Sequence, residues 1–197
     1  MNVKIVSDKE MKNLEETSHI GTYEETPIYD NPINNIYFAK TKPNAIIPNK
    51  DSENAGYDIY ACFEEESITI LSGEIKLIPT GICSAFNEDF VMVLKERGST
   101  GTKGLSQRCG IIDSGFRGEW FAPINNTSNK PIIITKNVDA TQSHYADGIV
   151  TIYPYTKAIC QALLLPVPKT KIIELTVTEI KRIQSKRGIG QLGSSNK

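Results

Sequence analysis

The chain has 197 residues, of which 39% are hydrophobic, so it is long enough for one domain with a buried core and short for two. Its 22 Lys and Arg residues nearly balance 23 Asp and Glu residues. The molecule as a whole therefore has no net positive charge that would attract nucleic acid or an anionic membrane. Four scattered cysteines, no membrane-length apolar run and a polar amino terminus predict a cytoplasmic protein without a zinc site or membrane contact.

The first part of the chain, residues 1–33, is polar and weakly periodic, and Pro27 and Pro32 oppose a long helix there. We interpret it as an amino-terminal extension of unknown role. From Ile36 onward, short runs of β-branched and aromatic residues alternate with Gly, Pro, Asn and Asp, which is typical of strands and turns. The predicted strands are Asn35–Ala39, Tyr57–Ala61, Ser67–Ile70, Glu74–Pro79, Gly81–Ser84, Val91–Lys95, Trp120–Asn125, Pro131–Thr135 and Ala158–Pro166.

Short strands at this spacing predict an all-β domain over residues 34–180, a barrel or jelly roll rather than alternating βα units. A helical turn is predicted within Ser99–Leu105. The last segment, residues 181–197, is basic and then rich in Gly and Ser, with too little apolar material for a core element. Taken alone, this segment is interpreted as a flexible tail; we refer to residues 181–197 as the carboxy-terminal arm.

Five stretches gather Gly and hydroxyl residues around a single charged or amide residue. The first, Ala55–Ala61, carries Asp58 at the start of a strand, either as a turn carboxylate that caps backbone amides or as part of a site. The second, Lys95–Leu105, combines small residues with Arg97, a pattern that suits phosphate oxygens but also occurs in surface loops.

The third stretch, 107–120, predicts a β-hairpin with Asp113 at its tip. An apolar strand precedes this Asp and Phe116 follows it, as a small pocket for a flat base would require. Asp in a turn is otherwise only a turn former.

The fourth stretch, Ala158–Leu165, is an apolar run interrupted by Gln161, whose amide needs partners either in the core or in a site. The fifth, Arg187–Ser195, is rich in Gly and Ser, and disorder is the alternative interpretation of it.

Taken in this order, the five stretches resemble the five motifs of the trimeric dUTPase family. The third is especially similar, since the family pattern of Gly, two aliphatic residues, Asp, an aromatic residue and Gly is matched by Gly110, Ile111, Ile112, Asp113, Phe116 and Gly118. The resemblance implies a distorted jelly roll (β-clip) and a homotrimer whose active sites are shared between subunits. It also implies that the carboxy-terminal arm is exchanged between subunits and closes over the nucleotide.

The resemblance further implies hydrolysis of dUTP to dUMP and pyrophosphate. Asp113 is then the general base that activates water for attack on the α-phosphorus. The backbone at Cys109 and Gly110, with Gln107 in place of the usual Asn, reads uracil. Phe116 lies under the deoxyribose and excludes a 2′-hydroxyl.

The remaining roles concern the triphosphate and its metal. The resemblance places Asp58 near Mg²⁺ and its waters, with the ion held by substrate phosphates and water rather than by a protein cage. The residues implied along the phosphate chain are Arg97, Gly98, Ser99 and Gln161, and those implied over its terminal end are Arg187, Leu192, Gly193, Ser194 and Ser195.

Departures from the family pattern keep two alternatives open. Gly98 replaces a hydroxyl residue, and Leu192 replaces a Phe that stacks on uracil, with Trp120 and Phe121 as candidates for that stacking role. One alternative is a dCTP deaminase-like enzyme, which relies on a Glu a few residues into the strand after the third motif. This chain has Pro123 near that place, and Glu119 is a poor substitute. The other is a dUTP-binding regulatory protein that engages a protein partner and hydrolyses dUTP weakly or not at all.

Overall fold

The predicted apolar runs form strands in the computed structural model, which describes residues 35–137 and 149–189 together with the backbone of Val3–Ile5. Within these ranges two short helices accompany the strands, α1 at Gly98–Gly101 and α2 at Val177–Arg182. The strands are β1 Val3–Ile5, β2 Ile36–Lys40, β3 Gly56–Ile59, β4 Ser67–Ile70, β5 Ile75–Pro79, β6 Ile82–Phe86, β7 Phe90–Lys95, β8 Leu105–Gln107, β9 Ile111–Asp113, β10 Phe121–Asn126, β11 Ile132–Thr135, β12 Thr151–Pro154 and β13 Cys160–Pro166.

Within the described residues these strands form small sheets ordered β1-β2-β6, β5-β10-β8, β12-β11-β4 and β3-β13-β7-β9. Most neighbouring strands are antiparallel, and the pairs β1–β2 and β11–β12 are parallel. The four-stranded sheet is the one that positions the candidate site, because the predicted motif strands β3, β7, β9 and β13 all belong to it. Small sheets packed on each other in this way confirm the all-β prediction.

Alternate residues of the strands point into one hydrophobic core. In β6, for example, Ile82, Ser84 and Phe86 are buried while the residues between them are partly exposed. Trp120 is fully buried and meets Phe38 edge to face, with ring centroids 5.5 Å apart. Edge-to-face packing is a favoured arrangement for aromatic rings, and it fixes the strand that leaves the third motif against the core.

Each predicted strand overlaps an observed strand, and the predicted helical turn overlaps α1. The structure adds elements that the sequence pattern did not indicate, namely β1 inside the extension, β8, β12 and α2. The helix α2 begins at Thr176, whose hydroxyl accepts from the Glu179 amide while the Glu179 carboxylate accepts from the Thr176 amide.

The chain divides into two compact units, Met1–Val167 and Pro168–Lys197. The first holds the sheets and the core, and the second contains α2 with no buried residue in that helix. Within the described ranges, no helix is both long and apolar enough to cross a bilayer.

Candidate active site

Arg97 lies two residues after the end of β7 and is held by a carboxylate from β3. Its Nε lies 2.9 Å from Asp58 Oδ1, and its Nη2 donates to Asp58 Oδ2 at 3.2 Å. Both side chains are about 30% exposed, so the guanidinium remains open to solvent on one side. The pair therefore presents an oriented cation at the surface, with the fork geometry that suits carboxylate or phosphate oxygens.

The backbone of Arg97 is fixed by the short helix that follows it. Thr100 is fully buried, and its hydroxyl accepts from the Arg97 amide at 2.9 Å and donates to the Arg97 carbonyl at 3.0 Å. Gly98, Ser99 and Gly101 surround this anchor, and their small side chains leave the backbone of the loop accessible. An open cleft of about 480 Å³ lies against this loop.

Gln161 lies in the centre of the four-stranded sheet, opposite Asp58 of β3 and Lys95 of β7. Its Nε2 donates to the Glu96 carbonyl at 2.7 Å. A Cβ on Gly56 would overlap the Gln161 side chain, so the glycine of the first motif makes room for the amide of the fourth. Asp58, Arg97 and Gln161 are thus brought together by register.

Glu96 connects this cluster to the start of the third motif. Its Oε1 accepts from the Gln107 amide at 2.8 Å and from the Ser106 hydroxyl at 3.1 Å. Burial raises the pKa of the Glu96 carboxyl, but these hydrogen bonds and the nearby Lys95 outweigh burial and lower it overall. An ionised Glu96 therefore ties β8 to the loop that carries Arg97.

The backbone after Gln107 enters an unusual conformation. Cys109 has a φ of 53° and Gly110 a φ of 130°, and both values lie in a region that L side chains rarely adopt. A Cβ on Gly110 would approach Leu94 Cβ to 2.9 Å. The Gly110 carbonyl accepts a hydrogen bond from the Leu94 amide at 2.8 Å. At this close crossing Gly110 is buried while Cys109 next to it is exposed.

Asp113 ends β9, and its side chain is exposed. The predicted β-hairpin is wrong, because β9 pairs with β7 while the next strand, β10, pairs with β5 and β8. The Phe116 amide donates to the Asp113 carbonyl at 3.0 Å and closes the turn. Arg117 holds the other side of that turn, because its Nη1 donates to the Ser114 carbonyl at 2.5 Å and to the Phe116 carbonyl at 3.2 Å. The Asp113 carboxylate is therefore exposed on a turn that is held by the Phe116 amide and by the Arg117 side chain.

The Phe116 ring is 44% exposed and folds back over Gly118. A Cβ on Gly118 would lie 2.7 Å from Phe116 Cζ, so this position accepts only glycine while the ring keeps its place. The last Gly of the third motif is therefore needed because the Phe116 ring occupies the space of a side chain at that position.

The structure leaves Asp113 apart from the Arg97 cluster within one chain. Asp113 lies opposite Val91 in the register of β7, whereas Gln161 lies opposite Lys95. Four residues of strand separate the two positions, which is roughly 14 Å at about 3.4 Å per residue.

Other predicted residues have different outcomes. Arg187 is exposed in the second compact unit, whereas Leu192, Gly193, Ser194 and Ser195 lie outside the described residues. Trp120 is fully buried, so it cannot stack on a base from the surface; Phe121 is 43% exposed on the face of β10.

Glu119 serves the fold. Its Oε1 accepts from the Gly81 amide at 2.9 Å and lies 3.7 Å from Lys42 Nζ. These contacts commit the carboxylate to a neighbouring turn and disfavour a deaminase role for it.

The sequence did not single out Thr100 or Glu96, although both lie beside Arg97. Thr100 follows Arg97 by three residues, the spacing of a side chain that caps its own helix start, and this signal was available. The contact of Glu96 with Gln107 depends on strand register, which local sequence does not reveal.

Comparisons with known proteins agree with this architecture. The dUTPase family model matches residues 42–142, slightly more than half of the chain. The deoxyuridine 5′-triphosphate nucleotidohydrolase of Leptospira interrogans is 32% identical over 111 residues, which are 54% of this chain and 76% of the relative. The enzyme of the same name from Rickettsia prowazekii is 38% identical over 92 residues, 45% of this chain and 62% of that protein.

Solved structures show the same fold. A mutant of the Staphylococcus bacteriophage 80alpha dUTPase with dUpNHpp superposes with a TM-score of 0.60 at 21% identity, over 82% of this chain and 98% of that one. A mutant dUTPase from phage phi11 of S. aureus, described with a structural Mg(II) ion, has a TM-score of 0.56 at 20% identity, over 72% and 97%. With its family match and its five motifs, the chain belongs to the dUTPase family.

Proposed function

We propose that the chain hydrolyses dUTP to dUMP and pyrophosphate, with Asp113 as the general base. The observation that carries the proposal is the exposed Asp113 carboxylate on a turn closed by Phe116 and Arg117. In the reaction, a water oxygen forms a bond to the α-phosphorus while the bond from that phosphorus to the bridging oxygen breaks. The water proton passes to Asp113, and pyrophosphate leaves.

Uracil binding is assigned to the backbone around Cys109 and Gly110, where both residues have positive φ values and Cys109 is exposed. Peptide N–H and C=O groups can match the uracil edge and distinguish it from cytosine. Gln107 supports this assignment, since its Nε2 is occupied by the Arg108 carbonyl while its buried Oε1 has no partner among the described residues. An unpartnered buried oxygen costs free energy, so a rotation of the amide that lets this oxygen accept the N3–H of uracil would be favoured.

Discrimination against ribonucleotides is assigned to Phe116. Its half-exposed ring lies over Gly118 and presents a flat apolar surface next to the turn that follows Asp113. A deoxyribose can pack on such a surface, whereas a 2′-hydroxyl would meet the ring and lose its hydrogen bonds to water.

The phosphate chain is assigned to Arg97, Gly98, Ser99 and Gln161. The paired guanidinium of Arg97 supports this role because Asp58 already fixes its orientation before any anion arrives. In the proposed closed state the arm contributes further contacts at the terminal phosphate. Its assigned residues are Arg187, Leu192, Gly193, Ser194 and Ser195.

The proposed cofactor is Mg²⁺. In the described part of the chain no group of three or more His, Cys, Asp and Glu side chains is arranged to hold a metal. This donor set fits an ion whose shell is made of phosphate oxygens and water, with Asp58 close by to accept hydrogen bonds from that water. When bound, the ion would neutralise charge on the pyrophosphate leaving group.

We further propose a homotrimer with sites shared between subunits and an exchanged arm. The roughly 14 Å between the positions of Asp113 and Gln161 along β7 supports sharing, since one nucleotide must meet both groups. An exposed apolar face on β5 and β10, formed by Ile75, Leu77 and Phe121, supports contact with another copy. The proposed location is the cytoplasm, which suits four cysteines that are all free thiols.

The activity is tested by incubating the protein and Mg²⁺ with dUTP, UTP, dCTP or dTTP and measuring pyrophosphate and ammonia. We expect pyrophosphate from dUTP alone. Release of ammonia from dCTP would contradict the proposal and identify a deaminase. Tight dUTP binding without turnover would also contradict it and identify a regulatory protein.

Sharing of the site is tested by co-expressing two variants that each lack one part, Asp113→Asn and Arg97→Ala. If the two residues of one site come from different subunits, mixed oligomers contain some intact sites and recover activity that neither variant has alone. Absence of any recovery in verified mixed oligomers would contradict the shared site.

A further inference from the structure

Glu96 lies between the end of β7 and Arg97, and its carboxylate contacts β8. The Glu96 Oε1 accepts from the Gln107 amide at 2.8 Å and from the Ser106 hydroxyl at 3.1 Å. The Glu96 Oε2 lies 3.5 Å from Lys95 Nζ, and the Glu96 side chain is 27% exposed. One oxygen of the carboxylate is thus bound to β8, and the other is paired with a lysine.

The Gln107 amide lies at the edge of a small sheet. In the described part of the chain β8 is the last strand in the order β5-β10-β8, and it pairs with β10 only. On the β10 side, the Arg108 amide donates to the Pro123 carbonyl at 2.8 Å. The start of the third motif is therefore held from two sides, by β10 through Arg108 and by the Glu96 carboxylate through Gln107.

The main chain of Glu96 belongs to a different part of the proposed site. Its carbonyl accepts from Gln161 Nε2 at 2.7 Å. The next residue, Arg97, is anchored by two hydrogen bonds with the buried Thr100 hydroxyl. The backbone of Glu96 is thus fixed among the groups assigned to phosphate, while its side chain reaches the start of the segment assigned to uracil.

We propose that Glu96 is a positioning residue that holds residues 107–110 at the place where their peptide groups meet uracil. The proposal rests on the proposed function, which assigns uracil to this segment and the phosphate chain to Arg97 and Gln161. Groups that recognise a ligand must be held within about 0.5 Å of their productive geometry. Hydrogen bonds to an ionised acceptor are stronger than those between neutral groups, so the carboxylate is suited to this task.

The substitution Glu96→Leu removes both acceptor oxygens from a side chain of similar size. We expect the KM for dUTP to rise about tenfold and the affinity for dUMP to fall by the same factor, in line with lost hydrogen bonds to a charged group. Inorganic tripolyphosphate carries no base, so its inhibition constant with Mg²⁺ should stay at the wild-type value. This difference between the two ligands separates loss of base positioning from general damage to the site.

Three further variants serve as controls. Glu96→Gln keeps an acceptor oxygen in the same place, so dUMP affinity should fall by no more than about threefold. Lys95→Gln removes only the partner of Oε2 and should leave both ligands unaffected. Glu96→Asp keeps the charge but withdraws it from Gln107 by one methylene group. It should weaken dUMP and spare tripolyphosphate, and it decides the question if the leucine variant does not fold.

Wild-type affinity for dUMP in every folded variant among Glu96→Leu and Glu96→Asp would overturn the inference, even with a lowered melting temperature, because the carboxylate would then serve only the fold. Equal losses for dUMP and tripolyphosphate would also overturn it, since Glu96 would then support the whole site. A Glu96→Gln variant as weak as Glu96→Leu would overturn it as well, because the accepted hydrogen bonds would then not be the cause.

The wild-type protein distinguishes the two proposals. If it hydrolyses dUTP while Glu96→Leu behaves identically, only the positioning role of Glu96 is contradicted. If the wild-type protein neither binds nor hydrolyses dUTP, the proposed function fails and this inference fails with it.

Discussion

Arg97 and Asp58 face each other as a two-point ion pair, with Nε to Oδ1 at 2.9 Å and Nη2 to Oδ2 at 3.2 Å. Asp58 belongs to β3 and Arg97 follows β7 by two residues, and these strands are not neighbours because β13 lies between them. The pair therefore exists only when the four-stranded sheet has its correct register, and folding itself assembles the cation that we assign to phosphate binding.

Replacing Asp58 with Asn should weaken substrate binding more than it weakens the fold. The change keeps the shape but removes the charge that orients Arg97, so the KM for dUTP should rise. Both side chains are about 30% exposed, so the pair stabilises the fold by at most about 1 kcal/mol. We expect a melting temperature within about 4 °C of wild type in calorimetry.

The control for this prediction is Lys95→Gln, which breaks the exposed pair between Lys95 and Glu96. It should change neither KM nor melting temperature appreciably. An Asp58→Asn variant with wild-type KM would show that Arg97 does not depend on its carboxylate partner.

Replacing Gly56 with Ala should displace Gln161. The new Cβ would overlap the amide, so either the amide loses its hydrogen bond to the Glu96 carbonyl or β3 moves away from β13. We expect loss of affinity for a non-hydrolysable dUTP analogue, measured by calorimetric titration, together with a destabilisation of about 1–3 kcal/mol. Unchanged affinity would mean that Gln161 does not contact the phosphate chain.

Replacing Gly118 with Ala should relax discrimination against UTP. The added methyl group would lie 2.7 Å from Phe116 Cζ and force the ring out of its place. The ratio of kcat/KM for dUTP to that for UTP should therefore fall, and Phe116→Ala should lower it similarly. If both variants keep the wild-type ratio, another group excludes the 2′-hydroxyl.

The four thiols should react very unevenly with a thiol reagent. Cys109 is exposed, whereas Cys62 and Cys160 are buried, and burial raises the pKa of the Cys160 thiol far enough to keep it protonated. Cys109 should react first, and a bound dUTP analogue should slow its labelling, as followed by peptide mass spectrometry. Equal labelling with and without the analogue would contradict uracil binding at this backbone.

Much of the fold could be predicted from the sequence because most strands are apolar runs of four to seven residues bounded by turn formers. The missed elements have weaker signals. Strand β8 has three residues and a single apolar side chain, and β12 ends in Pro154. Helix α2 is rich in β-branched residues and buries no side chain, so neither propensity nor periodicity indicates it.

The motif residues of the described site were identified from sequence, but their supports were not. Asp58, Arg97, Gln161 and Asp113 stand out locally because each is a polar residue among Gly or apolar neighbours. Glu96, in contrast, looks like an ordinary charged residue after a strand, and only the approach of β8 brings the Gln107 amide and the Ser106 hydroxyl to its carboxylate. Local sequence carries no information on contacts across this separation.

The most direct test of the proposed chemistry is the turnover of dUTP by Asp113→Asn. The amide keeps the size of the side chain at the end of β9 but cannot accept the proton from water. We predict that kcat falls by about 10² to 10⁴ while the affinity for a non-hydrolysable dUTP analogue stays close to wild type. A variant that hydrolyses dUTP at the full wild-type rate would contradict the assignment of Asp113 as the base.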